Sequence, residues 1–245
     1  MPELPDHLFV VLLLLFPVKG ALSYRELKRA LVTQPEKRLR WYRRTVMFDW
    51  LLVALALGLW FYAARPLTTL GLGLPNPTVS LVGILPALVL GLLLDAYRRM
   101  IIRKKQEHGD ALNRIRRILP TLPHSAGEMR LYPLVAFSTG VCEEILFRGY
   151  LIWYLMNYAG AFYALVVSCI VFGFAHFYQG GKGVIVTAIM GLILGAFYIF
   201  TESLWLPIAL HAFVNFNIAR LGFALVSAHP KAAMPETYGF SKRRK

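Results

Sequence analysis

Cysteine is almost missing from this chain. Cys142 and Cys169 are the only two in 245 residues, which excludes a disulfide-stapled scaffold. Both fall in apolar runs, where free thiols act as small apolar residues; a bridge between them is the alternative. Acidic residues are scarce too, 13 against 27 Lys and Arg, for a formal net charge of +14. Fixed-period repeats, low-complexity tracts and a separate soluble domain are also missing, which excludes repeat architectures and long disordered arms.

What the chain has instead is apolar length. Apolar residues make up 57% of it and its mean hydropathy is +0.54, well above a soluble domain. Runs long enough to span a bilayer, about 20 residues each, fall near 46–64, 79–97, 131–157, 160–178, 183–200 and 204–226. A shorter run at 8–22 follows Glu3 and Asp6 rather than basic residues and has no small-residue cleavage site after it, so it reads as a retained helix and not a signal peptide. Pro17 and Lys19 leave a helix lying in the interface as its alternative. The expected fold is all-α, a polytopic transmembrane helix bundle of about seven spans, with six to eight as the range.

The basic residues sort by loop. Residues 24–44, 98–117 and the tail 241–245 hold most of them, and with seven spans all three lie on one side. The intervening loops hold only Arg65 among basic residues. The positive-inside rule then puts the N-terminus outside and the C-terminus in the cytoplasm, and membrane topology accounts for the charge better than nucleic-acid binding does. The connection from Arg98 to Arg130 mixes isoleucines with cations and reads as an amphipathic helix on the anionic leaflet. Asp49 and Asp95 read as interfacial, Trp41, Trp50, Trp60 and Trp205 as interface-belt residues, and the Gly-Leu-Ile-Leu-Gly stretch at 191–195 as a helix packing face.

Against this background, "GVCEEILFRGYLIWYL" (140–155) carries two carboxylates and an arginine into hydrocarbon. Each costs about 2.5 to 3.5 kcal/mol near the bilayer centre on insertion scales, so each needs a partner, water or a function. Glu144 and Arg148 are four residues apart and pair on one helix face, while Glu143 lies about 100° around and points elsewhere. Phe172 and His176 share a face of the next run, and His211 and Asn215 share a face of the last. Singly, each is also explained as a hydrogen-bonded core group or interhelical glue. Converging on one cavity, they supply a carboxylate base for water, a histidine to share the water's proton, and a histidine and asparagine to face a developing oxyanion.

Glu-Glu-x-x-x-Arg (143–148), Phe-x-x-x-His (172–176) and His-x-x-x-Asn (211–215), in this order on successive apolar segments, resemble the motifs of the CPBP family. That family includes the type II CAAX prenyl endopeptidases and proteins similar to lysostaphin resistance protein A. The resemblance covers about 126–225 and implies a glutamate-type intramembrane protease. Glu143 and His176 would activate water, His211 and Asn215 would form the oxyanion hole, and Glu144 and Arg148 would support the first motif. It divides the chain into an N-terminal membrane region (1–125), a catalytic core (126–226) and a basic tail (227–245).

The expected reaction is hydrolysis of a peptide bond in a membrane-associated or C-terminal peptide, with lipid-anchored peptides among the candidate substrates. No cofactor is expected. Zinc is the rival chemistry, since two histidines and a carboxylate are a familiar ligand set, but no His-Glu-x-x-His occurs and Asn215 suits an oxyanion donor better. Expected partners are a peptide or protein substrate and membrane lipids, without nucleic acid, in a bacterial inner membrane. A non-enzymatic scaffold or bacteriocin-immunity protein of the same family is the alternative. A proton-coupled transporter finds no repeated halves or paired broken helices to support it.

Overall fold

A computed structural model describes residues 1–31, 33–73 and 77–233, with the side chains of 77–81, 232 and 233 left out. The basic tail at 241–245 lies outside the described residues, as does most of the third segment of the expected division. Every regular element described is helical: α1 Leu4–Leu14, α2 Phe16–Ala30, α3 Lys37–Tyr62, α4 Pro77–Arg103, α5 His108–Ile115, α6 Ala126–Glu143, a π-helical turn Glu144–Leu151, α7 Ile152–Ala175, α8 Gly181–Thr201 and α9 Trp205–Ala228.

Local chemistry explains where these begin and bend. Pro17 has no N–H to give, and the first apolar stretch breaks at Leu15 into α1 and α2. Ser125 caps α6 reciprocally: its Oγ accepts the Glu128 N–H, and the Glu128 carboxylate accepts the Ser125 N–H. Gly160, at φ 71°, adopts a conformation open to glycine without strain and divides the long stretch into a leg before it and a leg after it.

Five stretches are long and apolar enough to cross a membrane: Leu4–Ala30, Lys37–Tyr62, Ala126–Ala175, Gly181–Thr201 and Trp205–Ala228. Gly160 makes two legs of the third, and α4 adds a further apolar helix, so the chain is an all-α polytopic bundle of about seven spans. The long basic connection is not one amphipathic helix. Its ends belong to α4 and α6, only α5 is helical for two turns, and Pro120 and Pro123 stop continuation.

α6 packs on α9, the second leg of α7 on α8, α4 on α9 and α3 on α6. The α6–α9 approach is close because Gly140 has no Cβ; one built there would meet the Ala212 backbone nitrogen at 3.1 Å. Gly191 and Gly195 face Cys169 and Leu165 of α7, so the 191–195 stretch is a packing face as expected. Cys142 and Cys169 are buried free thiols.

The buried apolar residues form two main layers. One, around Leu13, Trp60, Phe147 and Leu204, lies toward Arg65. The other, around Leu27, Tyr42, Leu122 and Leu225, lies toward the basic loops. Trp60 is no belt residue: it is fully buried, donating from Nε1 to the Pro66 carbonyl and packing on Trp153, because the chain folds back at 63–66 and covers it. Asp6 is buried as well, and Arg65 grips both its oxygens at 2.6 and 2.7 Å. This ties the start of α1 to the end of α3 and, through Tyr150, to the π turn.

Candidate active site

The first motif lies where α6 widens into the π turn. Eight residues, Glu144–Leu151, are wound this way and all are buried. A π turn leaves backbone groups off the α ladder; here the Phe147 carbonyl accepts from the Ser168 hydroxyl on α7 at 2.8 Å.

Glu144 and Arg148 pair as their spacing implies, Nη1 to Oε1 at 3.0 Å, with 0% and 1% of their side chains exposed. The guanidinium also stacks 4.0 Å from the centre of the Phe172 ring, which places the aromatic residue of the second motif as its lid. The same Glu144 oxygen receives His211 Nδ1 at 2.6 Å. That link between the first and third motifs, 67 residues apart, has no spacing signature in the sequence.

Glu143 points the other way, into a cavity of about 180 Å³ that His176, His211 and Asn215 also line. Its Oε2 lies 3.7 Å from His211 Nε2 and 4.0 Å from His176 Nε2, and has no hydrogen-bond partner. The ring protons follow from the outer partners. His176 Nδ1 faces the Phe172 carbonyl at 2.9 Å and His211 Nδ1 faces a carboxylate, both acceptors, so both Nδ1 atoms carry hydrogen. In neutral rings both Nε2 atoms then present lone pairs toward a carboxylate oxygen. Two acceptors sharing one water through bonds of about 2.8 Å stand about 4 to 4.5 Å apart, close to these separations.

Asn215 is oriented by Thr139, whose hydroxyl donates to the Val135 carbonyl at 3.0 Å and so can only accept from Asn215 Nδ2, at 3.1 Å. The second Nδ2 hydrogen is left over.

Ligands about 2.0 to 2.1 Å from one tetrahedral zinc ion stand about 3.3 to 3.5 Å from each other; here the carboxylate oxygen is 3.7 and 4.0 Å from the two ring nitrogens, and among the described residues no group of three His, Cys, Asp or Glu is gathered to hold a metal.

The structure thus brings Glu143, His176, His211 and Asn215 to one cavity and sets Glu144, Arg148 and Phe172 behind it. It also revises the reading of Asp49: the side chain lies three turns into α3, is 2% exposed and lines the same cavity, with Oδ1 unpartnered. A lone carboxylate that deep in an apolar helix was the signal; the basic first turns of α3 masked it. Lys19 lines the cavity too.

Fold and site together define a polytopic membrane protein with a polar chamber between its helices. Residues 126–217 match the family model described as type II CAAX prenyl endopeptidase Rce1-like, a likeness over that stretch that is consistent with the CPBP resemblance of the motifs. Comparison with curated proteins and with solved structures gives no match.

Proposed function

We propose that the protein is an intramembrane endopeptidase that hydrolyses a peptide bond of a membrane-associated or C-terminal peptide with water activated by Glu143 and His176. One observation carries the reading: two imidazoles, each with Nδ1–H committed elsewhere, turn Nε2 toward the unpartnered oxygen of Glu143. A water there donates one hydrogen to Glu143 and one to His176 Nε2. Glu143 takes its proton as the oxygen attacks the carbonyl carbon.

The resulting oxyanion needs donors. His211 enters this step with a second proton taken from solvent and gives Nε2–H, while its Nδ1–H stays on the Glu144 carboxylate, which balances the charge. The spare Nδ2 hydrogen of Asn215 is the second donor. Glu143 then passes its proton to the leaving amine, which departs as the C–N bond breaks, and the carboxylate is regenerated. No step needs a metal. We place the chain in a bacterial inner membrane, basic loops in the cytoplasm.

The test is Glu143→Gln in the purified protein, with cleavage of membrane-protein C-terminal peptides followed by mass spectrometry. Gln keeps shape but cannot take the proton, so turnover should fall at least about 10² to 10⁴-fold with folding and insertion unchanged. Retained turnover would remove glutamate catalysis. Loss of wild-type turnover on chelation, restored by zinc, would replace it with metal chemistry. Full complementation of a deletion strain by Glu143→Gln would favour the scaffold.

A further inference from the structure

The motifs leave two charged residues of the cavity unused, Lys19 on α2 and Asp49 on α3. Of the described residues lining the cavity, Lys19 is the only lysine or arginine. Its ammonium lies 3.5 Å from the centre of the Phe48 ring and 5.9 Å from that of Phe16, and makes no ion pair or hydrogen bond among the described residues. Its neighbour Gly20 packs on the carbonyl of Ala175, the residue before His176, so the cation stands beside the second motif.

A half-buried ammonium resting on aromatic faces is desolvated, and Asp49 on the same wall attracts it without making an ion pair or hydrogen bond with it. The two carboxyl groups of the chamber, Glu143 and Asp49, would repel an entering anion. Lys19 alone offsets that repulsion with fixed positive charge. The rest of the wall carries six aromatic residues, Tyr42, Tyr132 and Tyr178 among them, which suit apolar side chains.

From this juxtaposition of a lone ammonium, aromatic walls and the water-activating groups, we propose that Lys19 is a specificity-determining residue that receives the free α-carboxylate of a peptide cut near its C-terminus. The inference rests on the hydrolytic reading above. Asp49, on the same wall, keeps the side chain turned inward between substrates. A peptide without that carboxylate, amidated or continuing as chain, leaves the ammonium with Asp49 alone and binds more weakly.

The test separates binding from cleavage. A dansyl-labelled apolar tetrapeptide, as free acid and as C-terminal amide, is titrated into full-length Glu143→Gln protein in nanodiscs and read by fluorescence. The acid should bind about 10- to 100-fold tighter than the amide, the worth of one charge-assisted hydrogen bond. Adding Lys19→Met should erase the preference, and Lys19→Arg should restore most of it; if Lys19→Met does not fold, Lys19→Gln carries the same test. Equal binding of acid and amide, a preference that survives loss of the lysine, or no binding of either peptide overturns the proposal. Preferential binding of an acid that the protein with Glu143 intact cannot cut would instead remove the hydrolytic reading and leave Lys19 standing. Equal cleavage of acid and amide would do the reverse.

Discussion

Glu144 receives Arg148 and His211 on one oxygen, and replacing it separates architecture from chemistry. In Glu144→Gln, Arg148 keeps its charge at 1% exposure with only the Phe172 ring face against it. Removing one partner of a buried pair costs about 3 to 5 kcal/mol. The amide oxygen still accepts His211 Nδ1–H, so that bond is weakened, not lost, and the two costs do not simply add. Thermal unfolding in detergent should therefore shift downward strongly. In Glu144→Gln/Arg148→Met the bare cation is gone and an apolar chain of similar length fills its place beside Gly191 and Phe172. Stability should return to within about 1 to 2 kcal/mol of wild type, since buried pairs often exchange for apolar residues at little cost. Peptide cleavage should not return. His211 still lacks the carboxylate that stabilises its imidazolium, a loss for which about 10² to 10⁴-fold in turnover is expected from orienting carboxylates elsewhere. A double variant as active as wild type would show that Glu144 merely neutralises Arg148 and refute its proposed support of His211.

Three further outcomes are expected. A Cβ on Gly173 would lie 2.8 Å from the Val184 carbonyl oxygen and 2.9 Å from Ala188 Cβ, so Gly173→Ala should cost about 1 to 3 kcal/mol and, by moving the end of α7, slow cleavage; wild-type unfolding and turnover together would count against this packing. His124, in the connection before α6, is held down to about 4, first by burial and then by Arg38, whose guanidinium donates to its Nδ1. Unfolded histidine titrates near 6.5, so the unfolded chain binds the extra proton first as pH falls: stability should drop between about 6.5 and 4, by up to about 3 kcal/mol, and His124→Gln should flatten that slope in pH-dependent unfolding. For topology, single cysteines placed in the connection between α4 and α6 should resist impermeant thiol reagents in intact cells, and labelling from outside would reverse the proposed orientation.

The apolar runs locate each long apolar helix because length and hydropathy decide membrane insertion, although α2 ends eight residues after its run and α3 begins nine before its own. The Glu144–Arg148 pair was legible for a similar reason: helical spacing alone brings i and i+4 together. What periodicity does not carry is which way a helix is turned and what stands opposite it. Asp49 looked like a feature of a span end, and Lys19 like a mark of a helix lying in the interface, until α3 and α2 were seen to wall one cavity. Asp6 and Arg65 lie 59 residues apart and pair only because the ends of α1 and α3 meet. The bond from His211 to Glu144 likewise depends on the α6–α9 approach at Gly140. The widened turn at 144–151 has no pattern of its own, since its residues are those of any buried helix.

That widened turn also makes the number of residues here as consequential as their identity. It holds one residue of slack between the acidic pair and the contacts beyond it. With that slack already taken up, adding a further residue between Ile145 and Phe147 would turn the helix beyond it by about 100° and push it about 1.5 Å further along. Tyr150 would swing away from Asp6, and Gly149 would no longer face the Leu70 carbonyl, where a Cβ would come within 3.0 Å. The chain would keep every motif residue and lose the phase that joins them, so length in this stretch tolerates less change than a sequence of apolar letters suggests.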